Sequence, residues 1–454
     1  MRTGLALLAL AAGCGDNLAS APDAAVVPRL AIVGHSDLGA RGMNAALAVV
    51  GDTVYVGSRV DARPVLIVDV ADPRHPAVVG ELGLPDEGHP GLSSRELRAI
   101  PDLDLLVVLD LYCSPDLHGC GGVAPEPEGL RIYDIADRRA PRLLARHVIT
   151  GDFRHVRSPH ELFLWRDPVD RARVLAFVTT PPGADSLEIV DLTEPAAPRR
   201  VLTWDPIADG GLPPGGGDDI LHSITVTADG RTGYASHQQG GLVALDLADV
   251  IDRAPAPTLR MLTPPAMALD WSPPGAMGPH SAVLVPGRPL AVVTEEVYPP
   301  PFGRGCPWGW ARIVDVTRPE AMTVVGQFKV AENAAAYCAS GAPLARVAFT
   351  AHNVTATAHL AFISWYAAGL QVVDLTDPAR PTAVTELRPM PLARVTTEDP
   401  GLGGAPVAMW SYPVIQDGLI YVVDIRNGLY VLRYQGPYQD EVAATAFAEG
   451  NSNR

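Results

Sequence analysis

The stretch Ala368-Gly369-Leu370-Gln371-Val372-Val373-Asp374-Leu375-Thr376-Asp377-Pro378 is written repeatedly along this chain. It recurs as Val65-Leu66-Ile67-Val68-Asp69-Val70-Ala71-Asp72-Pro73, as Leu130-Arg131-Ile132-Tyr133-Asp134 and as Leu187-Glu188-Ile189-Val190-Asp191. Further copies are Leu242-Val243-Ala244-Leu245-Asp246 and Ala311-Arg312-Ile313-Val314-Asp315. A degenerate copy, Leu429-Tyr430-Val431-Leu432-Arg433, ends the series with Arg433 in place of Asp. Asp69 and Arg433 lie 364 positions apart in six steps. The period of about 60 residues marks a repeat architecture.

Each unit reads as short strands. An apolar run ends in Asp, whose carboxylate can accept from backbone N–H groups two residues on, and a Pro-containing turn then reverses the chain. A further strand-like run follows, such as Ala77-Val78-Val79-Gly80-Glu81-Leu82. Two more precede the repeat, as in Asn353 to Thr357 and Leu360 to Tyr366. Four antiparallel strands per unit, seven units and almost no helical periodicity specify an all-β, seven-bladed β-propeller. The blades are expected near 44–82, 94–149, 158–204, 220–262, 279–329, 350–388 and 408–434. The seventh lacks its fourth strand, and residues 28–34 supply it, which would close the ring and leave no open edge between first and last blades. Residues 28–436 thus form the propeller and 437–454 a C-terminal tail.

With 47% hydrophobic residues and 44 Pro and 43 Gly, the composition suits one large domain rich in turns. The formal charge of −16, with Lys329 the sole lysine, argues against nucleic acid or anionic lipid as a partner, since both need a basic surface. Residues 1–13 read as an export signal. Leu5 to Ala12 is far shorter than the ~20 residues of a spanning helix. Ala11-Ala12-Gly13-Cys14 resembles a bacterial lipobox, although Ala11 stands where Leu is usual. The resemblance implies diacylation of Cys14, a tether over 14–27 and, with Gly15 rather than Asp after the cysteine, an outer-membrane address. The other reading is a plain secretory signal with an incidental cysteine.

Export agrees with the remaining cysteines, an even number in an oxidising compartment. Disulfides Cys113–Cys120 and Cys306–Cys338 are expected, each pinning a loop with little core of its own. A thiolate metal site is the rival, but no Cys-x-x-Cys spacing supports it.

Four successive blades open their first strand with histidine: His160, His222, His280 and His352. The corresponding positions elsewhere are Asn44, Arg95 and Tyr412. First strands line the central channel and start at one mouth. Second strands return there, ending in Asp110, His237, Glu295-Glu296, Trp365 and Asp424. Imidazoles and carboxylates far apart in sequence therefore converge on one funnel. Three readings stand: a polar mouth without metal, a copper, zinc or iron site, or histidines bonded within their own blades as in WD-repeat propellers. In the metal reading the four histidines, with His237 as a further candidate, are ligands, and Glu295 or Glu296 serves as ligand or base. Long loops join the same face at Tyr112–Gly129, Val297–Gly309, Asp205–Asp219 and Val330–Phe349. Gly215-Gly216-Gly217 has no following Lys and is no phosphate cradle.

Val65-Leu66-Ile67-Val68-Asp69 and its copies resemble the signature of the bacterial LVIVD-repeat proteins. The resemblance implies an exported seven-bladed propeller, often lipid-anchored, and carries no activity. More distantly, a His-lined mouth is similar in kind to the selenium-binding or methanethiol oxidase propellers, which would imply copper, although no motif transfers residue by residue. Two functions follow. One is a binding scaffold whose long-loop face engages a protein, glycan or small molecule. The other is a metal-dependent oxidoreductase or hydrolase using copper or zinc.

Overall fold

Seven repeats of sequence become seven antiparallel sheets arranged as a wheel. The computed structural model describes residues 29–82, 91–113, 115–121, 129–149, 159–180, 186–214, 220–271, 278–297, 305–340, 349–400 and 408–453. The signal, Cys14 and the tether lie outside them. No helix among the described residues is long and apolar enough to cross a membrane.

The innermost strands of blades 1 to 7 are Asn44–Val50, Leu92–Ile100, Glu161–Arg166, Leu221–Val226, Ser281–Leu284, Val354–Ala356 and Val414–Gln416. The repeat itself is the third strand of each blade, from Val65–Asp69 through Leu370–Asp374. The side-chain oxygen of its terminal Asp accepts from the amide two residues on: Ala71 at 2.9 Å, Ala136 at 2.9 Å, Thr193 at 2.9 Å, Ala248 at 3.0 Å, Thr317 at 2.8 Å and Thr376 at 2.7 Å. The recurring Asp is therefore a turn-former. Five blades also share a register shift between third and fourth strands, at Ile67/Val68, Ile132/Tyr133, Ile189/Val190, Ile313/Val314 and Val372/Val373. Such a bulge increases local twist.

Because successive side chains of a strand point to opposite faces, every blade fills two seams. In blade 2, Leu106 and Val108 pack toward blade 1, while Leu105 and Val107 pack toward blade 3. The seam between blades 7 and 1 is filled in the same way, by Val414, Val423 and Val431 against Leu47, Val54 and Val68.

Ring closure is as expected. Arg29–Ser36 pairs antiparallel with the third strand of blade 7, from Arg29↔Gln435 to Ser36↔Leu429. That strand, Gly428–Gln435, runs on without an Asp turn because its neighbour arrives from the other end of the chain. Exposed Arg433 instead of Asp is the trace of this.

Residues 437–453 do not trail away from the wheel. They form a short helix, Gln439–Ala443, and a strand, Phe447–Ala448, which pairs with the innermost strand of blade 7. The last sheet therefore has five strands.

The turn role yields a test. Asp374→Ala should cost about 1 kcal/mol in urea unfolding, the worth of one net hydrogen bond. Arg433→Ala, at the equivalent position of the last blade, should stay within about 0.5 kcal/mol.

Candidate functional site

His222 lies in the innermost strand of blade 4, and His160, His280 and His352 sit one or two residues before those of blades 3, 5 and 6. Adjacent blades place these positions side by side. The ring centroids are 4.4 Å apart for His160–His222, 3.7 Å for His222–His280 and 4.3 Å for His280–His352. Trp410 continues the arc, 5.1 Å from His352, and the guanidinium carbons of Arg59 and Arg95 each lie 5.2 Å from its ring centroid. The seventh-blade member of the arc is thus Trp410. Tyr412 sits one layer deeper, where its hydroxyl donates to Glu161 Oε1 and Arg98 covers its ring.

Glu296 faces the middle of the arc. Its Oε2 is 3.3 Å from His280 Nε2 and its Oε1 is 3.4 Å from His352 Nε2. The Tyr366 hydroxyl donates to Oε1 at 2.5 Å. His352 Nδ1 lies 2.7 Å from the Trp410 carbonyl, which can only accept, so Nδ1 carries the proton. The Nε2 lone pair of a neutral His352 then points at a carboxylate oxygen. Two acceptors at that distance repel unless a proton or cation stands between them. His280 adds to this: its Nδ1 makes no hydrogen bond among the described residues, and its Nε2 has only the 3.3 Å contact with Glu296, although both are buried.

Three of the imidazoles are pushed toward the neutral form. Burial, then the neighbouring His222 and Arg95, pushes His160 well below its ordinary pKa. Burial and then His280 do the same to His222, and burial and His280 to His352. Burial opposes the charge of Glu296, but the histidines around it, His352 and His280 foremost, hold its carboxyl well below the usual range.

A cavity of about 30 Å³ adjoins the cluster, lined by Arg95, Glu96, His160, Glu161, Glu296 and Trp410 among others. Three carboxyl groups and one guanidinium thus face it, an excess of negative charge. Burial raises Glu96 to about 7, with Arg98 opposing the shift. A water needs roughly 10–15 Å³ of such space, so the cavity takes an ion and one small ligand, not a peptide or sugar. A groove of about 820 Å³, lined by Phe163, Val285 and Phe447 among others, opens at the far ends of the inner strands and holds no imidazole.

Ligand atoms of His222, His280 and Glu296 all lie within 4.8 Å of one another. Two bonds of about 2.0–2.1 Å at a tetrahedral angle put their ligand atoms about 3.3 Å apart. The 3.3 Å between Glu296 Oε2 and His280 Nε2 matches this, while His352 Nε2 faces the other carboxylate oxygen at 3.4 Å.

Other expected members belong elsewhere. Glu295, next to Glu296 on an extended chain, takes the opposite direction and accepts from Arg312 Nη1 at 2.9 Å. His237 lies at the end of its strand beside Gly240 and Leu212, away from the cavity. Asp110 makes a two-point ion pair with Arg131, at 2.6 and 2.7 Å. The Trp365 indole donates to the Phe349 carbonyl at 2.9 Å within a buried cluster. Asp424 accepts from the backbone of Ala408, Arg426 and Asn427. Asn44 donates to the Ile425 carbonyl, tying blade 1 to blade 7. Arg95 does line the cavity and lies 2.9 Å from His118 Nε2. Sequence reasoning left Glu96, Glu161 and Trp410 unassigned, and for Glu161 the signal was its place directly after His160.

The expected disulfides Cys113–Cys120 and Cys306–Cys338 are present, with Cα–Cα distances of 5.7 and 5.6 Å. The triad of Asp61, Cys113 and Cys120 is accordingly no thiolate site.

The family model for the LVIVD repeat matches residues 41–82. No curated protein matches the chain. Among solved structures, the Cps50 (Swd1) β-propeller domain of Myceliophteria thermophila is similar, with a TM-score of 0.51 and 13% identity over 89% of this chain and 99% of that one. That likeness shows the fold alone.

Neutral imidazoles give a pH test. His160, His222 and His352 resist protons that the unfolded chain accepts below the ordinary value of 6.5. The unfolded state binds more protons as pH falls through that range, so stability is lost toward acid, by up to about 1.4 kcal/mol per pH unit for each histidine. Calorimetry of the metal-free protein should show the melting temperature falling from about pH 7 to about pH 5, with a shallower slope in His160→Gln. A flat profile would mean that the rings are charged in the fold.

Proposed function

We propose that the protein is an exported β-propeller that binds a transition metal, zinc or copper, at one mouth of its channel and presents it to a small ligand. His222, His280 and Glu296 are the ligands, with His352 Nε2 as a fourth donor. The observation that carries this reading is the pair of acceptors, His352 Nε2 and Glu296 Oε1, facing each other at 3.4 Å beside a histidine whose Nδ1 makes no hydrogen bond and whose Nε2 has only the Glu296 contact. A divalent cation would remove that repulsion and use the stranded nitrogens. Imidazole nitrogens with one carboxylate suit zinc or copper better than magnesium or calcium, which prefer all-oxygen shells. His352 donates Nδ1–H to the Trp410 backbone carbonyl, the contact that usually orients a ligating histidine and fixes its tautomer.

Export is supported by two disulfides, which persist in oxidising compartments. The lipid anchor on Cys14 and the outer-membrane address are part of the same proposal and rest on the lipobox resemblance. A scaffold that engages a macromolecule through its long loops would draw on residues 122–128, 215–219, 298–304 and 341–348, which lie outside the described residues. The small cavity favours an ion with a small ligand.

Purified protein loaded with zinc or copper and desalted should retain about one equivalent, and His280→Ala or Glu296→Gln should weaken affinity by at least about tenfold. Retention below about a tenth of an equivalent of either metal would falsify the metal reading and leave the scaffold.

A further inference from the structure

Residues Phe447–Asn453 cross the channel beneath the histidines. Phe447–Ala448 pairs with the innermost strand of blade 7 on its lumen side. A Cβ at Gly450 would stand 1.9 Å from the Val354 carbonyl oxygen of blade 6 and 2.5 Å from the Tyr412 ring, so a side chain cannot pass there. Glu449 Oε1 lies 3.3 Å from Arg98 Nε of blade 2. The segment then docks on blade 3. The Asn451 carbonyl accepts from Leu164 N at 3.2 Å, and the Asn453 side-chain oxygen accepts from Arg166 N at 2.7 Å. Four blades on both sides of the lumen are bridged by seven residues.

One contact in this crossing reaches the site. Asn451 Nδ2 donates to Glu161 Oε1 at 3.2 Å and to the Leu162 carbonyl at 3.1 Å. The Tyr412 hydroxyl donates to the same Glu161 oxygen. The other oxygen, Oε2, stands 3.3 Å from His222 Nδ1, in direct contact though outside hydrogen-bond geometry. Two donors on one oxygen lock the rotation of this buried carboxylate, and the lock decides what its second oxygen presents to the histidine.

We propose that Asn451 is a positioning residue of the channel-mouth site. Through Glu161 it fixes the orientation of the His222 ring, so the crossing segment is a working part of the site as well as a brace between blades. The proposal rests on the metal reading for its effect on affinity. Its geometric part, the orientation of His222, stands without a metal.

Removing a partner that orients a ligating histidine costs about 10–100-fold in metal affinity. Asn451→Ala should weaken zinc binding within that range in competition with a chromophoric chelator, and it should move the imidazole ¹⁵N shifts of His222 in the metal-free protein. Asn451→Ser, which keeps a small polar side chain but falls short of Glu161, should do the same and guards against a packing defect peculiar to the Ala variant. Asn453→Ala is the control. It loosens the docking of the same segment on blade 3 without touching Glu161, and should leave both readouts near wild type. Wild-type shifts and affinity in the Asn451 variants, or equal losses in Asn453→Ala, overturn the proposal. If the wild-type protein binds neither zinc nor copper, the metal reading fails by itself, and the His222 shifts alone decide the role of Asn451.

Discussion

The pairing of Arg29–Ser36 with Gly428–Gln435 joins stretches about as far apart as this chain allows. Until those strands meet, blades 1 and 7 each expose an unsatisfied face, and nothing compels the seven innermost strands to share an axis. Once they meet, the seam from Val414, Val423 and Val431 to Leu47, Val54 and Val68 fills like the others, and the inner strands are forced around one lumen. The edge-on and tilted ring contacts from His160 to His352, at 3.7–4.4 Å, are a consequence of that closure. No local preference draws these side chains together.

The lumen is where the protein accepts the cost of buried ionisable groups. Taking a carboxylate out of water is expensive unless it is paired and hydrogen-bonded. Below the histidines this is met. Arg98 contacts Glu96 at 2.8 Å and Glu449 at 3.3 Å, and Glu161 receives Tyr412 and Asn451. Nearby pairs such as Asp110–Arg131 and Glu295–Arg312 are likewise closed. The histidine layer differs. There a carboxylate and imidazole lone pairs face one another, and His280 Nδ1 finds no hydrogen bond.

Much of this was legible in the residues. The Asp-terminated repeat shows the turns directly, because the same carboxylate-to-amide bond forms in six blades, and Arg433 marks the blade that needs no turn. The histidine register follows, since equivalent positions on successive blades must be neighbours. What was not legible is which of two adjacent residues faces the lumen. Glu295 and Glu296 follow the end of their strand at Thr294, where the ladder no longer dictates direction. Arg95 and Glu96 both line the cavity because the pairing slips between Ser94 and Glu96, and a bulge at that point leaves no sequence signature. The crossing segment was hidden for a related reason. Its Asn451, Ser452 and Asn453 meet strand edges and a buried carboxylate, so a lumen-filling stretch has the composition of a solvated tail.

A propeller is rotationally repetitive, yet the site is not. Identical residues at all seven mouth positions would make a symmetric ring with no preferred place for a ligand. Histidine at four successive positions makes an arc, and the arc ends on Trp410, flanked by Arg59 and Arg95. One side of the mouth therefore offers nitrogen lone pairs and Glu296, the other an aromatic face and fixed positive charge. In the proposed function the cation would sit on the first side. A small anionic or electron-rich ligand bound to that cation would find Arg95 across the cavity, with nothing in the backbone needing to move. The fold is held in common with a propeller of 13% identity, whereas this asymmetry is written into a few side chains at strand ends. Function in such a wheel is decided by where the repeat is broken.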